Sequence, residues 1–324
     1  MASTSHSMTN PVLTAAHEDY APDLVAIQPD ALAGAVSNIA LDGIGPLLEP
    51  GATLCGRLDE LHAEGIVTLI VLNSLNFQFW DVNDWGDFSR YRHRGLDGAL
   101  AMQDSFFRAW EGAHRTAAGA APGARTECVA NAFRKLLARE GIAGLFGAIP
   151  AADLRAHILA EVLDDPQQLD AIAADIKSRL LLQSSLTWRE AQDLADAFPL
   201  AYGDRYLKKA QLTMINIAAQ WMATPGNKPC MLDVTAAADY QLPKVLRAMG
   251  ILTYSPRLAV QVDLQEPVPA DSREERAIRA ATVLACEQLA PHLGCTIPEV
   301  DFWLWANRNN FGPSPFHLTR TTNY

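Results

Sequence analysis

Through most of the chain, apolar residues recur every three to four positions, the spacing that turns one face of an α-helix away from water. Two such stretches carry their own start signal. Thr187-Trp188-Arg189-Glu190 precedes a stripe of Ala191, Leu194, Ala195 and Phe198, and Ser272-Arg273-Glu274-Glu275 precedes Ile278, Ala281, Ala285 and Leu289. A hydroxyl followed three residues later by Glu satisfies backbone N–H groups that a helix start leaves open, so both read as capping boxes. Residues 204–221 repeat the helical period, with Leu207, Ala210, Met214, Ile217 and Trp221 on one face. Strand signals are few: residues 66–72 form a β-branched apolar run, and Val260, Val262 and Leu264 alternate. The pattern predicts a predominantly helical, all-α fold with a minor β component and no βαβ alternation. Residues 1–22 read as a flexible tail and 23–324 as a single helical domain.

The 324 residues are 49% hydrophobic, enough to build a packed core. The longest apolar run, residues 66–72, is too short to span a bilayer, and the opening residues contain no apolar segment of a secretory signal. Cys55, Cys128, Cys230, Cys286 and Cys295 form no Cys-x-x-Cys pair, which suits a reducing cytoplasm and fits neither a zinc ribbon nor a disulfide framework. The net charge of −11, from 26 Lys+Arg against 37 Asp+Glu, lacks the field that holds a phosphate backbone. A nucleic acid or a membrane is therefore not the expected partner, whereas a few local cations suffice for a small anion. P-loop, GxGxxG, HExxH and GxSxG patterns are absent. Glycines at Gly43, Gly45, Gly141, Gly144 and Gly147 read as turns and helix stops.

Five segments carry candidate chemistry. Asn73-Ser74-Leu75-Asn76-Phe77-Gln78-Phe79-Trp80-Asp81 combines flat apolar rings with hydrogen-bonding edges, which suits a planar heterocycle; equally, Phe77, Phe79 and Trp80 fill a core while Asn76 satisfies a turn. Asp204-Arg205-Tyr206-Leu207-Lys208-Lys209 opens the third helical stretch, with Asp204 and Lys208 on one face. That cation either meets an anionic ligand or makes an ordinary solvated ion pair. In Ala236-Ala237-Ala238-Asp239-Tyr240, small residues let a ligand approach the Asp239 carboxylate; alternatively Asp239 caps the helix that follows. Asp301-Phe302-Trp303-Leu304-Trp305 and Pro315-Phe316-His317-Leu318-Thr319-Arg320 read as a terminal plug packed on the body. His317 has no partner at metal-ligand spacing, so no metal is expected.

In this order the segments resemble the queuosine salvage family, the queuosine 5′-phosphate N-glycosylase/hydrolases. The likeness rests on Asn76-Phe77-x-Phe79-Trp80, on Leu207-Lys208-Lys209-Ala210-Gln211, and on Ala238-Asp239-Tyr240-x-x-Pro243. It continues through Gly250, Leu252, Tyr254 and Ser255, through Glu275, Ile278 and Arg279, through Asp301, Leu304 and Trp305, and through Pro315, His317 and Arg320. The chain departs from the family pattern at Ala237, where an aromatic is usual, at Gln241 and Asn216, which stand for Arg and Asp, and at Gly95-Leu96-Asp97.

The resemblance implies an all-α fold with the helical architecture of DNA glycosylases but no DNA binding. It implies hydrolysis of the N-glycosidic bond of queuosine 5′-monophosphate, or of a related 7-deazapurine nucleotide, freeing queuine for tRNA modification, without metal or organic cofactor. The family's catalytic carboxylate maps onto Asp239 and its key lysine onto Lys208, which would hold Asp239 ionised or meet the phosphate. Asp301 maps to a base-contacting position. Tyr240, Asn76, Phe77, Phe79, Trp80, Trp305, His317 and Arg320 are the remaining substrate-binding candidates. The departures leave open a non-catalytic nucleotide-binding paralogue, and a helical scaffold with both charges on its surface is a third reading.

Overall fold

The computed structural model describes residues 9–36, 39, 63–83, 86–121, 124–312 and 314–324. The first half of the described chain forms α1 (Pro11–Asp19), β1 (Val25–Ile27), α2 (Pro29–Val36), α3 (Ala63–Ser74), β2 (Trp80–Val82), β3 (Phe88–Arg90), β4 (Arg92–His93), β5 (Leu96–Asp97), α4 (Gly98–Thr116), α5 (Arg125–Phe146) and α6 (Ala152–Asp164). Then come α7 (Pro166–Gln183), β6 (Ser185–Thr187), α8 (Trp188–Ala197), α9 (Pro199–Tyr202), α10 (Lys208–Ala223), β7 (Met231–Asp233), α11 (Gln241–Ala248), β8 (Leu252–Tyr254), α12 (Pro256–Asp263), α13 (Arg273–Leu293) and α14 (Ile297–Ala306). Strands pair only two by two: β1 with β8, β2 with β3 and β4 with β5 antiparallel, β6 with β7 parallel. The fold is predominantly α-helical, as its periodicity predicts.

Both strand expectations are corrected. Residues 66–72 lie in α3 and are buried on every side, against α6 and α7. A helix covered all round shows no apolar stripe, so its β-branched residues mimic a strand. Residues 260–264 fall in and just past α12, started by Pro256 in its first turn; Leu258 and Val262, one turn apart, are buried while Val260 and Leu264 face water. The expected tail also holds structure. The Asn10 side chain accepts from Val12 N, and the i, i+3, i+4 set Val12, Ala15 and Ala16 packs α1 on α13. Residues 1–8, Gly43, Gly45 and Cys55 lie outside the described residues. The described cysteines Cys128, Cys230, Cys286 and Cys295 are unbridged.

The chain packs as two compact units; the first takes residues within 1–44, 205–208 and 234–320, the second those within 45–204, 209–233 and 321–324. In the first, α13 is the central rod. Ser272 accepts from Glu275 N at its start, and Ala277, Ala281 and Ala285 are small enough for α1, α2, α11 and α14 to approach closely. Val25, Leu242, Val245, Leu246, Ile278, Leu289, Val300 and Leu304 complete the core. An isolated parallel bridge, Pro267 to Leu318, ties the terminal segment down, with Val268 N donating to Leu318 O at 2.8 Å.

In the second unit α4 and α5 share an aromatic core in which Trp110 meets Phe106 and Phe133 at ring separations of 5.3 and 5.0 Å. Gly147 ends α5 at φ +64, and a Cβ there would lie 2.6 Å from the His93 ring. The Thr187 capping box forms in full, with Glu190 accepting from Thr187 N at 2.6 Å.

Candidate active site

Asp239 follows an irregular buried stretch of three alanines, folded back by Ala238 N donating to Ala236 O at 2.9 Å. Its Oδ1 accepts from Gln241 N at 2.6 Å and Leu242 N at 3.2 Å, the open amides of the α11 first turn. Asp239 is thus a cap, as its bland reading has it, and at the same time a carboxylate only 9% exposed. Asp301, on α14, reaches the same stretch: its Oδ2 accepts from Ala237 N at 2.7 Å. Burial pushes the Asp301 carboxyl up to about 7; the Asp239 charge adds to the rise, while the Ala237 amide and the Lys208 ammonium oppose it. Asp239 and Lys208 thus both act on the Asp301 carboxyl, and all three side chains are buried.

Lys208 is the first residue of α10, preceded by Leu207 at φ +49. The helix begins there and not at Asp204, so the shared face expected for Asp204 and Lys208 does not exist. Nor is the turn solvated: Lys208 is 4% exposed. Arg205, beside it, meets Asp19 at 2.6 Å and Glu18 at 2.7 Å. A scaffold with both charges on its surface is thereby excluded.

Arg279 and Glu275 adjoin this cluster, and sequence reasoning gave them no role in the site. Arg279 Nε donates to Ala238 O at 3.2 Å, its NH1 lies 3.7 Å from Glu275 Oε1, and its guanidinium covers the Tyr206 ring at 4.5 Å. The signal was present: a Glu and an Arg one turn apart on an otherwise apolar helix face. His317 is buried beside Arg279, and burial with that nearby charge lowers it to about 3, so it is neutral at ordinary pH. The Tyr240 ring stacks on Phe316 at 4.5 Å. Lys244, also missed, is buried and donates to Arg308 O at 2.8 Å.

Apart from Glu18 and Asp19, these residues fall inside the stretch, residues 202–324, that matches the family model described as queuosine salvage protein. Across a longer span the chain is 32% identical to a queuosine 5′-phosphate N-glycosylase/hydrolase of Sphaerobacter thermophilus, over 79% of this chain and 80% of that relative. The chain belongs to the queuosine salvage family. Proteins of the same name from Dictyostelium discoideum and Nematostella vectensis are 24% and 25% identical, covering 79% and 82% of this chain and 77% and 83% of their own lengths.

The remaining candidates drawn from the queuosine salvage motifs have their own surroundings. Asn76, Phe77, Phe79 and Trp80 are buried in the second unit. There Phe77 lies between the Arg155 guanidinium, 4.1 Å from its ring centre, and Lys209 Nζ at 4.8 Å, while Phe79 stacks on Tyr91 and Trp80 on Phe88. Asn216, a departure from the queuosine salvage pattern, donates to Asn73 Oδ1 at 3.2 Å. Gly95 and Arg94, both at positive φ, make the tight hairpin between β4 and β5. Trp305 is half-buried under Arg308, and Arg320 is exposed. Among the described residues no group of three or more His, Cys, Asp or Glu side chains could hold a metal ion, and no helix is long and apolar enough to cross a membrane.

Proposed function

We propose that the protein hydrolyses the N-glycosidic bond of queuosine 5′-phosphate, or of a related 7-deazapurine nucleotide, as a cytoplasmic enzyme acting on the free nucleotide. The observation that carries this reading is Asp239, fixed through Oδ1 at the start of α11 and sharing a buried cluster with Lys208 and Asp301. Breaking the C1′–N bond leaves its electron pair on the base and positive charge on the ribose. Asp239 Oδ2 faces that charge and steadies it, and directs a water whose oxygen bonds C1′. The water gives up one proton and the departing base gains one. Lys208 supplies the positive charge that meets the 5′-phosphate. Ionised Asp301 accepts hydrogen bonds from the N–H edge of the base, and Tyr240 walls the site.

The test is incubation with queuosine 5′-phosphate and chromatography for free base. Wild type releases base, and Asp239→Ala loses about a hundred- to a thousandfold in rate, the usual cost of deleting one preorganised electrostatic group. Equal release by the variant overturns the assignment of Asp239. Tight calorimetric binding by wild type without release establishes the non-catalytic paralogue instead.

A further inference from the structure

The residues that lead into Lys208 and into Asp239, 203–207 and 234–238, are irregular, so no ladder of backbone hydrogen bonds fixes those approaches. Leu207 even holds a left-handed φ. The start of α10 and the capping bonds of Asp239 hold one side of each residue, and side-chain anchors hold the approach to it. Tyr206, two residues before Lys208, is one anchor: its hydroxyl donates to Asp19 at 2.8 Å, with the Arg276 carbonyl at 3.2 Å. The Ala238 carbonyl, on the peptide that enters Asp239, is the other.

One side chain reaches both. The flat face of Arg279 lies on the Tyr206 ring, its Nε donates to Ala238 O, and its NH1 meets Glu275 on the preceding turn of α13. Being 1% exposed, Arg279 is closed to ligand. We propose that Arg279 is a positioning residue of the hydrolysis, fixing the Lys208 and Asp239 segments against each other through the rigid geometry of its guanidinium; this rests on the assignment of those two residues above. A lysine cannot take its place, because a point charge on a flexible stem cannot cover a ring, donate along a second direction and meet a carboxylate at once. Of the charged and titratable groups facing it, Glu275 balances the cation and His317 is neutral.

The experiment uses full-length Arg279→Lys and the double variant Glu275→Gln/Arg279→Met, which removes both buried charges together. Folding is followed by thermal unfolding, and kcat and KM are measured on queuosine 5′-phosphate. The expected result is a fall in kcat of about ten- to a hundredfold with KM within about threefold, the signature of lost geometry at the reacting centre. Folded variants with wild-type kcat overturn the proposal, and so does a change in KM alone. Should the double variant fail to fold, Arg279→Lys decides by the same criteria. An inactive wild type would instead overturn the assigned reaction, so the two failures are separate.

Discussion

Asp239 caps α11 through Oδ1, and the proposed hydrolysis assigns the second oxygen a catalytic task; substitutions can separate the two. Asp239→Asn keeps an acceptor for the Gln241 and Leu242 amides but loses the charge, so hydrolysis should collapse with little change in melting temperature. Asp239→Ala should lose activity and about 1 kcal/mol of stability as well; thermal unfolding of both checks this. Asp301 gives a pH signature. Its carboxyl titrates near 7 when folded against 3.8 for the ordinary group, so its stabilising contribution is fully present below 3.8 and lost as pH rises through about 7. The Tm of Asp301→Asn should accordingly gain on wild type between pH 4 and pH 8, each an approximate bracket of that window; a gain in the opposite direction would refute the burial argument. In turnover, base binding through ionised Asp301 predicts that kcat/KM falls below about pH 7. His317 works oppositely: held neutral, it costs stability as pH drops from 6.5 toward about 3.

At the scale of elements, local chemistry decides where helices begin and end. Thr187→Ala removes the capping box of α8 and should cost about 1 kcal/mol, read by chemical unfolding. Gly147→Ala should cost more, since it adds a Cβ at positive φ into the His93 ring. Such signals are local, and so the α8 and α13 starts with their apolar stripes were legible in the sequence. The α3 run was not, because burial on all sides erases periodicity, and α12 was masked by a chance alternation of Val260, Val262 and Leu264. Lys208, Asp239 and Asp301 stood out in the sequence as residue types at family spacing, and all three are buried, with the first two acting on the Asp301 carboxyl. Arg279 escaped because its meaning lies in contacts with residues 206 and 238, far away in the chain. Phe77, by contrast, lies between two buried cations, and nothing in its own neighbourhood of the sequence announces Arg155.

For the molecule as a whole, the charge of −11 bears on what can approach. A free nucleotide needs a few cations at one place, whereas a tRNA needs an extended positive surface. Queuosine-containing tRNA should therefore yield no free base under conditions that consume the nucleotide, as chromatography of the two digests would show. Within the first unit the capping bonds of Asp239 have one more consequence. Because the Asp239 carboxylate holds the amides of Gln241 and Leu242, those two protons are built-in reporters of its electronic state. Their nuclear magnetic resonance shifts should move when a cationic sugar mimic docks, which makes the event visible without any attached label.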